Sequence, residues 1–278
     1  MTGSAVPDPT APRHASLPMY DWPEARAQVD AHWAALRRAM LTDDPRLDLP
    51  TGLFRPESGG ALALWRDPGC VFSQTCWGPL SLGLIEYLKP LAQPDYSTFA
   101  GGRGPFYRSA IIARQGQPAT VPNAVPDAVP DAVPDAVPDA VPDGPGPAVN
   151  ADLLRGRVLA VNGTDSLSGF LSLRDDLGAD PRALAADWLE TGSHRASVRA
   201  VAQGKADIAA IDCRSWALAR AHEACAGALV VVGWTRERWG LPYVTHRSTP
   251  ARVAQALRKV LMQNGCHDAP DDKTGRRE

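Results

Sequence analysis

The sequence lacks the segments that would anchor it in a membrane or export it. No run approaches the roughly 18 consecutive apolar residues of a transmembrane helix. The N-terminus, MTGSAVPDPTAPRHAS, has no basic segment followed by an apolar one, so no signal peptide is predicted. As written, the sequence predicts a cytoplasmic protein without membrane insertion. A misassigned start codon would hide a leader, and the protein would then be periplasmic.

Cysteine and net charge are also sparse. The five cysteines are odd in number, and their spacings match neither a zinc site nor a disulfide framework. The formal net charge is only -2, and no basic stripe is interleaved with aromatic residues. We therefore predict no metal, no cofactor and no nucleic-acid partner.

Short hydrophobic runs alternate with amphipathic ones along the chain. Runs such as CVFSQT, RGRVLAV, ADIAAID and ALVVVGWT are typical of buried strands, and the stretches between them have helical periodicity. This alternation predicts an α/β fold with mostly parallel sheets. Ligands of such sheets bind beyond the carboxyl ends of the strands, so the residues that follow each strand are candidates for binding.

One strand-to-helix junction, NGTDSLSG at residues 162–169, carries three hydroxyl side chains and two glycines. Its spacing excludes the catalytic turn G-x-S-x-G, and no G-K-[ST] follows as in a P-loop. Two interpretations remain. Either one serine caps the next helix, or the hydroxyls and the first N–H groups of that helix bind a phosphate, phosphonate, sulfonate or carboxylate.

A second junction, TGSHRAS at residues 191–197, repeats this arrangement. Ser193 and His194 lie at a predicted helix start, where His194 would donate to an anion, carry a proton or act as a polar cap. Asp212 ends a predicted strand and would either bind a ligand or cap the next helix. A hydrolase triad of these three residues is disfavoured because Ser193 and His194 are sequence neighbours, and we predict no catalytic residue.

A low-complexity insert separates the two halves of the pattern. The tetrapeptide AVPD occurs five times in tandem from Ala124 to Asp143. A proline at every fourth residue prevents helices and sheet ladders and favours polyproline II. We predict a disordered surface loop over residues 115–150, either a tolerated repeat expansion or a spacer or docking segment. Residues 1–14 and 266–278 are also predicted to be disordered.

Four segments, YRSAII, VNGTDSLSG, TGSHRASVRAVAQGKADIAAID and GLPYVT, occur in this order. Together they resemble the phosphate- and phosphonate-binding family of type 2 solute-binding proteins of ABC importers. The resemblance implies a periplasmic-binding-protein-like fold of two α/β lobes, with helices on both faces of the sheets and a ligand cleft between the lobes. Lobe 1 would comprise residues 15–107 and 228–265, and lobe 2 would comprise residues 108–227.

The resemblance also implies the ligand-binding residues. Ser166 and Ser168 would hold the anion at a helix start, with Tyr107 and His194 facing it. Asp212 would contact the other end of the ligand, such as an amine. The remaining residues of the predicted site are Thr164 and Ser193 beside these groups and Tyr20, Gln74 and Thr75 from the other lobe.

The function implied is binding of a small oxyanion (a phosphonate, phosphate or phosphate ester) without catalysis. The protein would be a monomer, with ABC importer subunits as partners, or a cytoplasmic derivative of such a system. The lack of a leader and the AVPD insert depart from the family pattern. Two alternatives therefore stay open: a cytoplasmic enzyme of cofactor biosynthesis on the same scaffold, and a ligand sensor.

Overall fold

The structure is a computed structural model that describes residues 13–56, 60–116 and 146–270. The AVPD repeats lie outside the described residues, as do residues 1–12 and 271–278. The prediction that these segments are disordered therefore concerns residues that the structure does not describe.

The described residues form twelve β-strands and eight α-helices. In chain order the strands are β1 His14–Ser16, β2 Cys70–Gln74, β3 Leu88–Ala92, β4 Gly102–Arg103, β5 Phe106–Tyr107, β6 Ser109–Arg114, β7 Val158–Val161, β8 Asp187–Glu190, β9 Ile208–Asp212, β10 Leu229–Trp234, β11 Arg238–Trp239 and β12 Tyr243–His246. The helices are α1 Arg26–Asp43, α2 Ala61–Arg66, α3 Trp77–Ser81, α4 Ser172–Leu177, α5 Pro181–Leu184, α6 His194–Ala202, α7 Cys213–His222 and α8 Ala251–Gln263. A π-helical turn, Leu167–Leu171, continues directly into α4. Within the described ranges, no helix combines the length and the apolar character needed to cross a bilayer.

The strands form three sheets, with the orders β1-β2-β12-β3, β10-β6-β9-β7-β8 and β11-β5-β4. The chain passes from the first sheet to the second between β3 and β6, and it returns between β10 and β12. The two larger sheets are therefore the centres of two lobes, and the small third sheet lies in the two crossing segments. The predicted two-lobed α/β fold is confirmed.

Two details of that prediction are wrong. The sheets are mixed rather than mostly parallel, because β6, β10 and β12 run antiparallel to their neighbours. β6 carries the chain into the second sheet and β10 carries it out, so the two strands point in opposite directions. The second detail is the lobe boundary. The predicted boundary at residue 228 assigns β10 to lobe 1, but β10 pairs with β6 and therefore belongs to lobe 2.

Parts of the segments predicted to be disordered are ordered where the structure describes them. His14 begins β1. The N–H of Val149 donates to the carbonyl of Trp234 (2.9 Å), and the N–H of His267 donates to the carbonyl of Gln93 (2.8 Å). Each of these short pieces is held by backbone hydrogen bonds to a distant strand or crossing segment, a contact that local composition does not reveal.

Helix α1 shows how the sequence pattern builds lobe 1. Val29, Trp33, Leu36 and Met40 recur every three or four residues, and all four are buried. They pack with the apolar face of α8, and the ring of Trp33 stacks on that of Phe72 with centroids 5.3 Å apart. Complete burial of each such side chain contributes about 1.5–3 kcal/mol, which fixes the helix on the sheet.

A second apolar cluster takes side chains from both lobes, and we call it the interlobe cluster. Trp77 and Leu80 of lobe 1 belong to it, as do Leu167, Phe170 and Ile208 of lobe 2. The two lobes thus share buried apolar surface beside the cleft and are closed on each other.

Candidate functional site

The lobe 2 side of the cleft begins where β7 ends. Ser166 caps the following helix, because its Oγ accepts the N–H of Gly169 (3.2 Å) and the side-chain N–H of Asn162 (3.0 Å). A Cβ at Gly169 would overlap the amide oxygen of Asn162, so a larger residue here would displace the side chain that donates to Ser166. Of the two serines predicted to bind the anion, Ser166 is therefore already engaged as a cap.

The π-helical turn places Ser168 next to His194. The N–H groups of Phe170 and Leu171 both donate to the carbonyl of Ser166, which widens the first helical turn. The Oγ of Ser168 then lies 2.7 Å from Nε2 of His194 at the start of α6. Both Ser166 and Ser168 are buried.

Asp212 joins the same cluster from the end of β9. Its Oδ2 lies 3.3 Å from Nε2 of His194. The serine hydroxyl and the carboxylate thus contact the same imidazole nitrogen. A catalytic triad needs the carboxylate on the other nitrogen, so this geometry does not make Ser168 a nucleophile.

Asp212 also has the structural role that its position at a strand end suggested. Its Oδ1 accepts the backbone N–H groups of Arg214 (3.1 Å) and Ser215 (3.0 Å), and so it caps α7. The hydroxyl of Tyr20 donates to the same oxygen at 3.1 Å. The carboxylate is only 2% exposed, so these donors replace water around its charge.

Tyr20 reaches the cleft from lobe 1, from a short 3-10 turn that begins at Pro18. Its hydroxyl lies 3.3 Å from that of Tyr96, which accepts the N–H of Leu241 (3.0 Å). Burial raises the pKa of both phenols above the ordinary range, so they stay protonated hydrogen-bond donors. Sequence reasoning missed Tyr96, which lies in a crossing segment rather than at a strand end.

The lobe 1 wall opposite the serines is the start of α3. Gly78 lies so close to lobe 2 that an added Cβ would overlap the carbonyl oxygen of Asp165 and lie 2.7 Å from the nitrogen of Leu167. Burial raises the pKa of the Cys76 thiol, and hydrogen bonding to the backbone of Gly78, Leu167 and Ser168 opposes this shift. Two helix starts, one from each lobe, therefore converge at Cys76.

Two buried hydroxyls beside this point have no hydrogen-bond partner among the described residues. They are Thr75, which is 0% exposed, and Tyr107, which is 1% exposed. Burial raises the pKa of Tyr107, and the nearby Cys76 and Asp212 raise it further. An unsatisfied buried polar group costs about 1–3 kcal/mol, so both hydroxyls are donors for which an oxyanion would be a suitable acceptor.

The other predicted residues lie at the margin of the cluster. Ser193 is exposed, and its Oγ accepts the N–H of Ala196 (3.1 Å) as the cap of α6. Gln74 donates its side-chain N–H to the carbonyl of Leu241 (3.0 Å), and Thr164 is half-buried. The binding role of all ten predicted residues stays a prediction. The structure brings six of them into one cluster, namely Tyr20, Tyr107, Ser166, Ser168, His194 and Asp212, and it places the buried Thr75 next to Cys76 in the chain.

His194 should make the fold sensitive to acid. Burial lowers the pKa of His194, although Asp212 and the carbonyl of Ala210 oppose the shift. Stabilisation by a neutral buried histidine is complete above the unfolded pKa of about 6.5 and is lost as the pH falls through that value. We therefore expect the free energy of unfolding to drop less between pH 7.5 and pH 5.5 in His194→Gln than in the parent protein. Urea unfolding measures this, with the exposed His222→Gln as control; equal drops would contradict it.

Comparison with known proteins gives one family. The model of the family described as "ABC transporter, phosphonate, periplasmic substrate-binding protein" matches residues 85–274. No curated protein is detectably similar to the chain.

Several solved structures share the fold. A binding protein component of an ABC phosphonate transporter from Pseudomonas aeruginosa is 15% identical, with a TM-score of 0.59 over 95% of this chain and 83% of that one. PhnD1 from Prochlorococcus marinus in complex with methylphosphonate is 13% identical, with a TM-score of 0.58 over 90% and 83%. A chloride-bound protein from Xanthomonas citri is 19% identical, with a TM-score of 0.54 over 95% and 86%.

Proposed function

Because the chain belongs to the phosphonate-binding family of periplasmic substrate-binding proteins of ABC transporters, we propose that its cleft binds the oxyanion group of a small phosphonate. The proteins of this family are substrate-binding proteins and not enzymes, which confirms the prediction that the chain has no catalytic activity.

The observation that carries the proposal is the convergence of two helix starts at Cys76. The N–H groups of Leu167 and Ser168 begin the helical turn of lobe 2 and that of Gly78 lies in the first turn of α3 in lobe 1, and the two starts are in close contact. The first N–H groups of a helix lack internal partners and carry partial positive charge, so together they favour an anion. Since the donors come from both lobes, such an anion would be held fully only when the cleft is closed.

Further hydrogen-bonding groups lie near these helix starts. The hydroxyls of Thr75 and Tyr107 are buried and without partners among the described residues, and Ser168 and His194 form the hydrogen-bonded pair beside them. A phosphonate has three acceptor oxygens and matches this excess of donors. The carboxylate of Asp212, which contacts His194, would repel a second anionic group of the ligand and attract a cationic one. We therefore propose a ligand with an amine or another donor at its far end.

The partners follow from the family. We propose that the ligand-bound form delivers phosphonate to the membrane subunits of an ABC transporter. Family membership favours the periplasm over the cytoplasm as the place of action. That the protein acts as a monomer stays a prediction.

Ligand-induced stabilisation tests the proposal. We expect methylphosphonate at 100 times its dissociation constant to stabilise the protein by about 2.7 kcal/mol, which raises Tm by roughly 5–10 °C. Ser168→Ala should weaken binding about tenfold through the loss of one donor. Ser193→Ala is the matched control and should weaken it less than twofold, because that hydroxyl already caps α6. The absence of any Tm shift with methylphosphonate, 2-aminoethylphosphonate and inorganic phosphate would contradict the proposal.

A further inference from the structure

A cavity of about 490 Å³ lies beside Tyr20, and we call it the Arg214 pocket. Lobe 1 supplies most of its wall, from α1, the end of β2, the start of β12 and residues 264–266, whereas Arg214 reaches into it from lobe 2. Its volume is in the range of small-molecule sites. Tyr20 belongs to both, but Ser166, Ser168, His194 and Asp212 do not line the pocket, so it adjoins the cluster around the serines without including the serines.

Arg214 supplies the pocket with a positive charge that has no ion-pair partner among the described residues. The centre of its guanidinium group lies 4.2 Å from the ring centroid of Tyr20 and 5.9 Å from that of Phe99. No carboxylate of the described residues forms an ion pair with it within 4.0 Å. Asp95 also lines the pocket, but it is engaged by His267 (3.0 Å) and by the N–H of Ser97 (2.6 Å). The forked guanidinium therefore keeps its capacity to bind a carboxylate in two parallel hydrogen bonds.

One wall of the pocket is aromatic and uncharged. The rings of His32 and Tyr243 stack with centroids 5.8 Å apart, and the Tyr243 hydroxyl lies 3.2 Å from Nε2 of His32. Burial and the nearby Arg214 lower the pKa of His32, so the imidazole is neutral at neutral pH. Leu17 and Val29 add apolar surface, so a flat apolar group would find favourable contacts here.

We propose that the Arg214 pocket is a second ligand site that binds a one-ring aromatic carboxylate. The carboxylate of the ligand pairs with Arg214, and its ring lies against the wall of His32 and Tyr243. Side-chain amides of Gln28 and Asn264 line the same cavity and accommodate polar ring substituents. Since Arg214 belongs to lobe 2 and the aromatic wall belongs to lobe 1, the ligand contacts both lobes.

Benzoate is the probe for this site, and benzamide and acetate separate the contributions of its charge and its ring. We expect calorimetric titration to show one benzoate per chain, with benzamide and acetate each binding at least tenfold more weakly. Arg214→Gln should weaken benzoate binding at least tenfold, and Arg214→Lys should weaken it less.

A second variant leaves the charge of Arg214 in place. Ala31 is an exposed residue of α1 that lines the pocket, so Ala31→Trp should obstruct the pocket and abolish benzoate binding. Ala34→Trp, at an exposed position of α1 outside the lining, is the matched control.

Three results would overturn the proposal. If Ala31→Trp or folded Arg214→Gln bound benzoate as tightly as the parent protein, the benzoate site would lie outside the Arg214 pocket. Acetate binding as tightly as benzoate would remove the role of the ring. Displacement of benzoate by saturating methylphosphonate would make the pocket part of the oxyanion site rather than a second one.

Discussion

Replacing Gly78 with alanine should weaken methylphosphonate binding roughly a hundredfold, equivalent to ~2.7 kcal/mol, while each lobe stays folded. The added Cβ would overlap the carbonyl oxygen of Asp165 and approach the nitrogen of Leu167 to 2.7 Å. Both are backbone atoms of the opposite lobe, so neither can rotate away. The lobes must separate to relieve the overlap, and the helix starts would then no longer converge on the anion.

The control for this experiment is Gly227→Ala, because a Cβ at that exposed glycine has open space around it. Calorimetry gives the two affinities, and small-angle scattering shows whether Gly78→Ala has a larger radius of gyration. Parental affinity in Gly78→Ala would mean that the contact between α3 and the serine turn is not part of ligand binding.

The second large effect is expected at Asp212, where two substitutions separate structure from binding. Asp212→Ala leaves two backbone N–H groups and the hydroxyl of Tyr20 without their acceptor, so we expect it to reduce the free energy of unfolding by about 2–4 kcal/mol. Asp212→Asn keeps an oxygen for these donors and should cost less than about 1 kcal/mol. Urea unfolding measures both changes.

Asp212→Asn should instead change which ligand is preferred. The parent protein should bind 2-aminoethylphosphonate more tightly than ethylphosphonate, because the carboxylate attracts the ammonium group. Without that charge we expect the preference to fall at least tenfold, through weaker binding of 2-aminoethylphosphonate. An unchanged ratio of the two affinities would show that Asp212 faces neither end of the ligand and serves only as the cap of α7.

The sequence predicted that the lobe 2 residues lie close together, for a physical reason. β7 and β9 are parallel neighbours, so their carboxyl ends meet at one edge of the sheet. Ser168, in the helical turn after β7, and Asp212, the last residue of β9, are therefore brought together by the sheet topology. His194 follows β8 at the same edge. There the N–H of Thr191 donates to the carbonyl of Val161, the last residue of β7.

The lobe 1 contacts of Cys76, Gly78 and Tyr96 could not be predicted in the same way. Cys76 and Gly78 matter because α3 closes onto a turn of the other lobe, and Tyr96 matters because a crossing segment folds back between the lobes. These contacts depend on how two separately patterned halves meet, which no local periodicity encodes. The misplaced boundary at β10 has the same origin: its apolar run is typical of any buried strand, and only its partner β6 assigns it to lobe 2.

The interlobe cluster gives ligand binding a calorimetric signature. When the lobes open, side chains such as Trp77, Leu80 and Phe170 lose shared apolar contacts and gain hydration. Hydration of apolar surface raises heat capacity, so a ligand that holds the lobes closed binds with a negative change in heat capacity. The binding enthalpy of even a small polar ligand then becomes more exothermic on warming. This temperature dependence is set by the apolar side chains between the lobes rather than by the oxyanion itself.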